Sequence, residues 1–207
     1  MIVTRIEELS KSRSKVYIDQ EFAFVLYKGE FRRYHVREGE RIEPSDYETI
    51  MKQVLPKRAK LRAMNLLKSR EYTTAQLRTK LEQGCYPQPV IEEALSYVAS
   101  YHYTDDLHYA VSFITYHEGS KSRRRMEQDL AAKGIDKETI AKAFLTWEEQ
   151  GGEQDEQAMI RRLMEKKHFQ PAEADYAARQ KIYAFLMRKG FSAEAVRKAL
   201  RTDEWEV

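Results

Sequence analysis

The side chains most suited to a specific chemical role form a dense group of cations near the middle of the chain. Lys121, Arg123, Arg124 and Arg125 occupy four of five consecutive positions, and the segment runs directly into a helical pattern that ends at Gly134. Lysine and arginine at this density could bind phosphates or carboxylates, because both anions accept hydrogen bonds from ammonium and guanidinium groups. They could equally be the solvated face of a helix, since charged side chains are mostly exposed.

A second group of cations lies about forty residues further along the chain. It completes the set of candidate binding residues, which are Lys121, Arg123, Arg124, Arg125, Arg161, Arg162, Lys166 and Lys167. Met126 and Leu130 define the buried side of the helix that follows the first group, so at least two of its three arginines must face away from the core. Arginines at a helix N-terminus oppose the helix dipole, which favours a binding role over a stabilising one.

The sequence carries no motif for catalysis. It has no Walker-type loop, no G-x-G-x-x-G and no H-E-x-x-H. His102 and His108 flank Asp105-Asp106, but carboxylates at the start of a helix more commonly cap its free N–H groups than bind a metal. We therefore predict that the protein is not an enzyme and has no catalytic residues, no metal and no cofactor.

Composition limits the choice of partner and compartment. The 207 residues include 36 Lys and Arg against 33 Asp and Glu, a net charge of +3, which is low for a dedicated DNA-binding domain. No apolar run approaches the roughly 20 residues of a membrane helix, and the first residues lack the apolar core of a secretory signal. Cys85 is the single cysteine, which excludes an internal disulfide and favours a cytoplasmic location.

The first segment, residues 1–57, differs from the rest. The stretches KVYID and FAFVLY are rich in β-branched and aromatic residues and predict a strand–turn–strand unit, with IVTRIEE as a third strand. Because a hairpin alone is marginal in water, it should rest on a helix. The stretch PSDYETIMKQVLP predicts that helix, with Ser45 as its N-cap and Pro56 as its end.

An internal repeat dominates the remainder. The stretches that begin at Leu77, Met126 and Ile182 align without a gap over 22 positions. Apolar or small residues recur at six positions of this register: Leu77, Met126 and Ile182; Leu81, Leu130 and Leu186; Tyr86, Ile135 and Phe191; Ile91, Ile140 and Val196; Ala94, Ala143 and Ala199; Leu95, Phe144 and Leu200. Each stretch therefore predicts two amphipathic helices joined by a tight turn.

The turns and the preceding helices define the repeat unit. Gly134 and Gly190 occupy the turn of the second and third repeats, where a left-handed residue ends the helix, and Cys85 occupies it in the first. A further helix precedes each pair, and Pro171 could begin one long helix in the third repeat. We predict a mainly α fold: three tandem three-helix repeats stacked as an elongated curved array, with a small N-terminal β-hairpin-containing region. The repeat bounds are 58–106, 107–152 and 153–207.

These elements resemble the RecX family. The resemblance rests on three tandem three-helix units, on the stretches YTDDLHYA, GSKSRRRMEQDLAAKGI and KIYAFLMRKGFSAEAVRKAL, and on the N-terminal VYIDQEFAF. It covers residues 58–203 and the N-terminal extension. This chain departs from the family pattern at the hairpin turn, which is Asp19-Gln20 where Asp-Gly is usual, and at Ser122 in the basic stretch.

The resemblance implies a function. RecX proteins are bacterial regulators of the RecA recombinase that bind its filament on single-stranded DNA and restrain ATP hydrolysis, filament growth and strand exchange in recombination and DNA repair. The expected partner is therefore RecA or its filament, with weak direct DNA binding and no membrane, and the chain is expected to be a monomer. The alternative is a helical-repeat DNA-binding protein without a recombinase partner, because paired helices with a glycine turn resemble a helix-turn-helix.

Overall fold

A computed structural model describes residues 1–200, and the residues beyond Leu200 lie outside the described part. The predicted end of the third repeat, residues 201–207, falls among them. The described chain forms two compact units that divide after Asp105. The architecture is mainly helical, with three tandem three-helix domains and a small N-terminal sheet. This confirms the predicted fold class.

The N-terminal sheet has three antiparallel strands in the order β1 (Val3–Ser10), β2 (Arg13–Ile18) and β3 (Glu21–Tyr27). The hairpin between β2 and β3 turns at Asp19-Gln20, and both residues have positive φ, 49° and 76°. Two consecutive left-handed residues match the right-handed twist of the flanking strands. The predicted hairpin and its third strand are confirmed.

The helix that was predicted for the stretch PSDYETIMKQVLP differs from the observed structure at both ends. A short helix α1 (Lys28–Arg33) is followed by α2 (Pro44–Thr49), a π-helical turn (Ile50–Val54) and α3 (Leu55–Leu67). The N-cap is Glu43 rather than Ser45, because Pro44 takes the first helical position, which suits its fixed φ.

Pro56 does not end this helix, so that prediction was also wrong. Pro56 has no N–H to donate to the carbonyl four residues earlier. The backbone accommodates this by widening into the π-helical turn, in which the N–H of Leu55 donates to the carbonyl of Ile50. The helix then continues through Pro56 near the start of α3.

The first three-helix unit consists of α3, α4 (Thr74–Glu82) and α5 (Gln88–Ser100). Its core is continuous with the inner face of the sheet, since Phe24 and Leu26 of β3 belong to the same buried cluster as Leu55 and Leu77. The expectation that the hairpin rests on a helix is therefore confirmed. This shared core stabilises the sheet, whose β2–β3 hairpin would be marginal alone.

The second and third units have one buried cluster each. The second contains α6 (Asp106–His117), α7 (Arg123–Ala132) and α8 (Lys137–Glu149), and the third contains α9 (Glu156–Lys166), α10 (Tyr176–Arg188) and α11 (Ala193–Leu200). Side-chain caps at Asp136, Asp155 and Ser192 accept a hydrogen bond from the residue three positions later. None of the helices in residues 1–200 is long and apolar enough to cross a membrane.

The repeat register is confirmed by burial and by the turns. Leu81, Leu130 and Leu186 are all fully buried. The turn residues at the equivalent position all have positive φ: 58° at Cys85, 83° at Gly134 and 90° at Gly190. Each turn thus places a left-handed residue between the two paired helices, and cysteine adopts this conformation in the first repeat without glycine's freedom.

The predicted long helix from Pro171 was wrong. Helix α10 begins at Tyr176, and the carboxylate of Asp175 caps it by accepting from the N–H of Ala178 at 2.7 Å. The residues before it form a separate turn, which is held by the Arg179 guanidinium through bonds to the carbonyls of Pro171 (2.8 Å) and Ala174 (3.1 Å). A strong N-cap and this turn together outweigh the helix-initiating preference of proline.

Candidate partner-binding site

The loop that contains Lys121 and leads into helix α7, residues 118–122, is held from two sides. The Trp147 indole N–H donates to the carboxylate of Glu118 at 2.9 Å. The side-chain amide of Gln154 donates to the carbonyls of Glu118 (2.9 Å) and Lys121 (2.7 Å). Because its carbonyls are bound in this way, the loop holds the backbone of Lys121 in place directly before the three arginines of α7, which lowers the entropy cost of binding a partner.

Ser122 links the second and third repeats. Its buried hydroxyl caps α7 by accepting from the N–H of Arg125 at 3.3 Å, and it donates to the carbonyl of Lys189 at 3.1 Å. Gly190 lies against it so closely that an added Cβ would sit 2.5 Å from the Ser122 hydroxyl oxygen. Sequence reasoning missed this role, although a serine directly before a helical pattern is a recognised N-cap signal.

All three arginines of the first group are exposed while Met126 and Leu130 are buried, as predicted. Arg123 nevertheless makes local contacts. It forms ion pairs with Glu127 (3.3 Å) and Glu148 (2.7 Å), and its guanidinium lies 4.3 Å from the centroid of the Phe144 ring. Arg123 therefore connects α7 to α8, and its truncation should affect stability more than that of a fully solvated arginine.

The other cations of this group differ in how far they are neutralised. Lys121 and Arg125 share the carboxylate of Asp129, at 2.9 and 3.1 Å. Partial burial of Asp129 opposes ionisation, but the hydrogen bond from Lys121 and the neighbouring cations lower its pKa below the ordinary value. Arg124 has no hydrogen bond or ion pair within residues 1–200, which leaves its guanidinium available to a partner.

The second cation group lies on α9 and just after it. Arg161 is 3.9 Å from Asp155, whereas Arg162 and Lys166 are exposed one turn apart on the helix. Lys167 follows the helix, and its ammonium group lies 5.4 Å from the centroid of the Phe185 ring on α10. The structure thus brings Lys167 beside a residue that also borders the first group.

That meeting point is a concave site with a volume of about 580 Å³. We call it the inter-repeat pocket and define it by its lining residues, which come from the second and third repeats: His117, Ser120, Lys121, Arg125, Asp129, Phe185, Arg188 and Lys189. Arg188 and Lys189 were missed by sequence reasoning. The available signal was their place beside the turn glycine of the third repeat, but the pattern of one repeat does not show which surface of another it faces.

The charges of the pocket act on its histidine. Burial lowers the pKa of His117, and the adjacent Lys121 ammonium lowers it further, while Asp129 acts in the opposite direction. The imidazole is therefore mainly neutral near pH 7. Within residues 1–200, no three His, Cys, Asp or Glu side chains are grouped closely enough to hold a metal ion. The chemistry that this arrangement suits is the binding of anions by cations.

Three consecutive three-helix units that present such a surface define a helical-repeat protein. Within that class, the chain belongs to the RecX family. Models of the first, second and third three-helix domains of RecX match residues 59–97, 105–143 and 153–200.

Individual relatives extend the match over the whole length. The chain is 33% identical to a regulatory protein RecX of Caldanaerobacter subterraneus subsp. tengcongensis, over 97% of this chain and 98% of that one. It is 22% identical to a protein of the same name from Clostridioides difficile, over 100% and 99% of the two chains. A Bacillus subtilis relative, also named regulatory protein RecX, is 24% identical over 99% of this chain and 78% of its own.

Solved structures show the same fold. A crystal structure of regulatory protein RecX aligns with a TM-score of 0.59 at 20% identity and covers 96% of this chain and 98% of its own. A crystal structure of RecX from Lactobacillus salivarius aligns with a TM-score of 0.57 at 19% identity and covers 71% of this chain and 95% of its own.

Ser122→Ala should lower the free energy of unfolding by about 2 kcal/mol, because it removes an N-cap and also leaves the Lys189 carbonyl without its donor. Ser192→Ala is the matched control, since Ser192 caps α11 in the same way through Ala195. The control should cost only about 1 kcal/mol. Equal losses in urea-induced unfolding would mean that the bond between Ser122 and Lys189 contributes nothing.

Proposed function

We propose that this protein binds the RecA recombinase or its filament on single-stranded DNA and inhibits its ATP hydrolysis, filament growth and strand exchange. The observation that carries the proposal is that a chain of the RecX family also has an exposed cation group whose backbone is held in place. The relatives are named regulatory proteins, which is consistent with a protein that acts on a partner. In this proposal the protein is a cytoplasmic monomer without catalytic activity.

The proposed contact surface consists of the two cation groups: Lys121, Arg123, Arg124, Arg125, Arg161, Arg162, Lys166 and Lys167. Its members are expected to contribute unequally. Arg124 is exposed and has no ion pair within residues 1–200, so it loses no internal contact on binding. Arg123 must give up or share its pairs with Glu127 and Glu148. We therefore expect Arg124 to contribute more to affinity than Arg123 does.

The proposed domain organisation follows the repeats. In this proposal residues 1–57 are the N-terminal extension and residues 58–106, 107–152 and 153–207 are the three repeats, with the first boundary inside α3. Because the cation groups belong to the second and third repeats, these two should carry the filament contacts. Direct contact with the DNA of the filament is part of the proposal.

An ATPase assay with matched variants tests this function. Replacing Arg124 and Arg125 together by alanine should weaken inhibition of RecA's DNA-dependent ATPase about tenfold, the effect of losing roughly 1.4 kcal/mol of binding free energy. The inhibition should also depend less steeply on salt, because two charges are removed. Arg123 is left unchanged because its ion pairs stabilise the second repeat.

The control replaces Lys137 and Lys142 together by alanine. Both are exposed lysines on α8 of the same repeat, and both lie outside the proposed surface. Because two cations are replaced in each double variant, the control removes the same amount of charge. It should inhibit like the wild-type protein. If both double variants inhibit equally well at every salt concentration, the first cation group is only a solvated face.

A further inference from the structure

Helix α3 of the first unit carries positive charge that the fold only partly neutralises. The helix and its C-cap have no carboxylate but have five cations: Lys57, Arg58, Lys60, Arg62 and Lys68. Arg58 forms an ion pair with Glu30 at 2.5 Å, and Lys60 forms one with Glu93 at 2.7 Å. The other three cations are exposed and have no ion pair within residues 1–200. The outer side of α3 therefore keeps an excess of positive charge.

Two apolar side chains lie between cations on this outer side. Lys57, Leu61, Met64 and Lys68 follow one another at spacings of four, three and four residues, so they form one line along the helix. We call these four residues the α3 stripe. Leu61 is 52% exposed and Met64 is partly exposed, whereas the alanines of α3 are buried in the core. An apolar centre with charged ends is the composition of a protein–protein interface.

The surface is concave on both sides of the middle of the stripe. A depression of about 460 Å³ is lined by the N-terminal half of the stripe and by Arg33 of α1, among others. A second depression, of about 230 Å³, is lined by the C-terminal half of the stripe together with Leu67 and Tyr103. Two depressions along one helix can accept successive side chains of a single bound segment.

The larger depression needs negative charge from outside the fold. Its carboxylate, Glu30, is already engaged by the Arg58 guanidinium at 2.5 Å and by the backbone N–H of Tyr27 at 2.8 Å. Arg33 and Lys57 also line this depression, and both are exposed without an ion pair in the described part of the chain. A ligand that brings carboxylates here would therefore gain two charge-assisted contacts without displacing an internal one.

The apolar centre of the stripe favours a peptide over a nucleic acid. Leu61 and Met64 offer no hydrogen bond to a phosphate, and they are not flat rings on which bases stack. At a rise of 1.5 Å per residue, Lys57 and Lys68 are about 16 Å apart along the helix, the span of about five residues of extended peptide. A short acidic segment with apolar side chains between its carboxylates would contact the whole stripe.

We propose that the α3 stripe is a docking site for an acidic peptide segment of a partner protein, with carboxylates at both ends and large apolar side chains in the middle. The stripe belongs to the first unit, whereas the cation groups of the proposed function belong to the second and third repeats. The inference therefore goes beyond the proposed function and does not rest on it.

Fluorescence anisotropy with a labelled peptide and the full-length protein tests this site. The probe is a peptide of about ten residues, long enough to span the stripe, with two glutamates at each end, two leucines in the middle and serines elsewhere. Leu61→Ser should weaken its binding about tenfold, because an apolar contact at the centre of the interface is lost. Lys57→Gln with Lys68→Gln should also weaken binding about tenfold and make it less dependent on salt.

Matched variants on α8 control for the chemical change. Leu145→Ser replaces a leucine that is 58% exposed, and Lys137→Gln with Lys142→Gln removes the same charge as the double variant of the stripe. Neither control should change the affinity for the peptide. Equal effects of Leu61→Ser and Leu145→Ser, or a wild-type dissociation constant weaker than about 1 mM, would overturn the proposal.

A second peptide, in which serines replace the two leucines, separates apolar docking from attraction between charges. It should bind the wild-type protein about tenfold more weakly than the first peptide. Leu61→Ser should weaken its binding no further, because the contact that this substitution removes is already absent. Equal binding of the two peptides by the wild-type protein would mean that only charge attracts them, and would overturn the proposal.

Oligothymidylate and self-association test the other occupants of the stripe. Binding of oligothymidylate should be the same for the wild-type protein and for Leu61→Ser. Sedimentation velocity should show the same molecular mass for both proteins at every concentration. Binding of oligothymidylate that depends on Leu61 would assign the stripe to nucleic acid, and a dimer that Leu61→Ser abolishes would assign it to a second copy of the chain. Either result would overturn the proposal.

Discussion

Replacing Leu130 by alanine is expected to lower the free energy of unfolding by about 2–5 kcal/mol, the range for buried leucines in other cores. Leu130 is fully buried on α7, in the cluster that includes Met126, Ile140 and Phe144. Alanine would leave a cavity bounded by helices from both sides of the turn, so the surrounding side chains could relax only in part. Equilibrium unfolding in urea measures the loss.

Leu145→Ala is the matched control for this substitution. Leu145 lies on α8 of the same repeat, but 58% of it is exposed. The same chemical change there should alter stability by less than about 0.5 kcal/mol. Similar losses at Leu130 and Leu145 would show that the buried face of the repeat has been assigned incorrectly.

Gly190→Ala should lower the free energy of unfolding by about 2–4 kcal/mol, for two separate reasons. Gly190 has a φ of 90°, which is strained for any residue with a side chain. The added methyl group would also lie 2.5 Å from the Ser122 hydroxyl oxygen and 3.1 Å from the Cβ of Arg125. Ser122 is buried and makes two hydrogen bonds, so it cannot move away without losing them.

Gly151→Ala isolates the backbone part of that effect. Gly151 has a φ of 87°, but a Cβ there would meet nothing within 4 Å. Its replacement should cost only the strain of a left-handed alanine, about 1–2 kcal/mol. If thermal or urea unfolding gives the same loss for both glycines, the third repeat does not pack closely on the second at this point.

The sequence predicted features that recur or that depend on local chemistry. The three leucines at one register position, Leu81, Leu130 and Leu186, share an environment because the repeat imposes the same helix pair each time. The caps at Asp136 and Asp155 were also predictable, since a cap depends only on the residues of its own helix start.

Competition between local signals accounts for the errors at helix ends. Ser45 and Pro44 were both able to begin a helix, and proline at the first helical position prevailed. At Pro56 the helix continued, because a π-helical turn absorbed the missing N–H donor. Neither outcome follows from propensity alone, since packing against the rest of the first unit contributes to both.

The sequence identified only half of the candidate site. The density of Lys121 and its neighbouring arginines identified one wall of the inter-repeat pocket. The other wall, Arg188 and Lys189, is more than sixty residues away in the chain and is brought there by Ser122 and Gly190. Such a meeting depends on how one repeat packs against the next, which a single-repeat pattern does not specify.

Co-sedimentation of this protein with RecA tests the central claim most directly. The recombinase is pelleted as filaments on single-stranded DNA at moderate salt, and the same mixture without DNA and with DNA alone provides the comparisons. The regulatory function predicts that the protein pellets with the filaments in amounts that DNA alone does not account for, and that it binds the recombinase without DNA as well. The account is contradicted if the amount of protein that pellets with the filaments equals the amount that pellets with DNA alone, and if no protein pellets with the recombinase alone. That result would favour a DNA-binding protein without a recombinase partner.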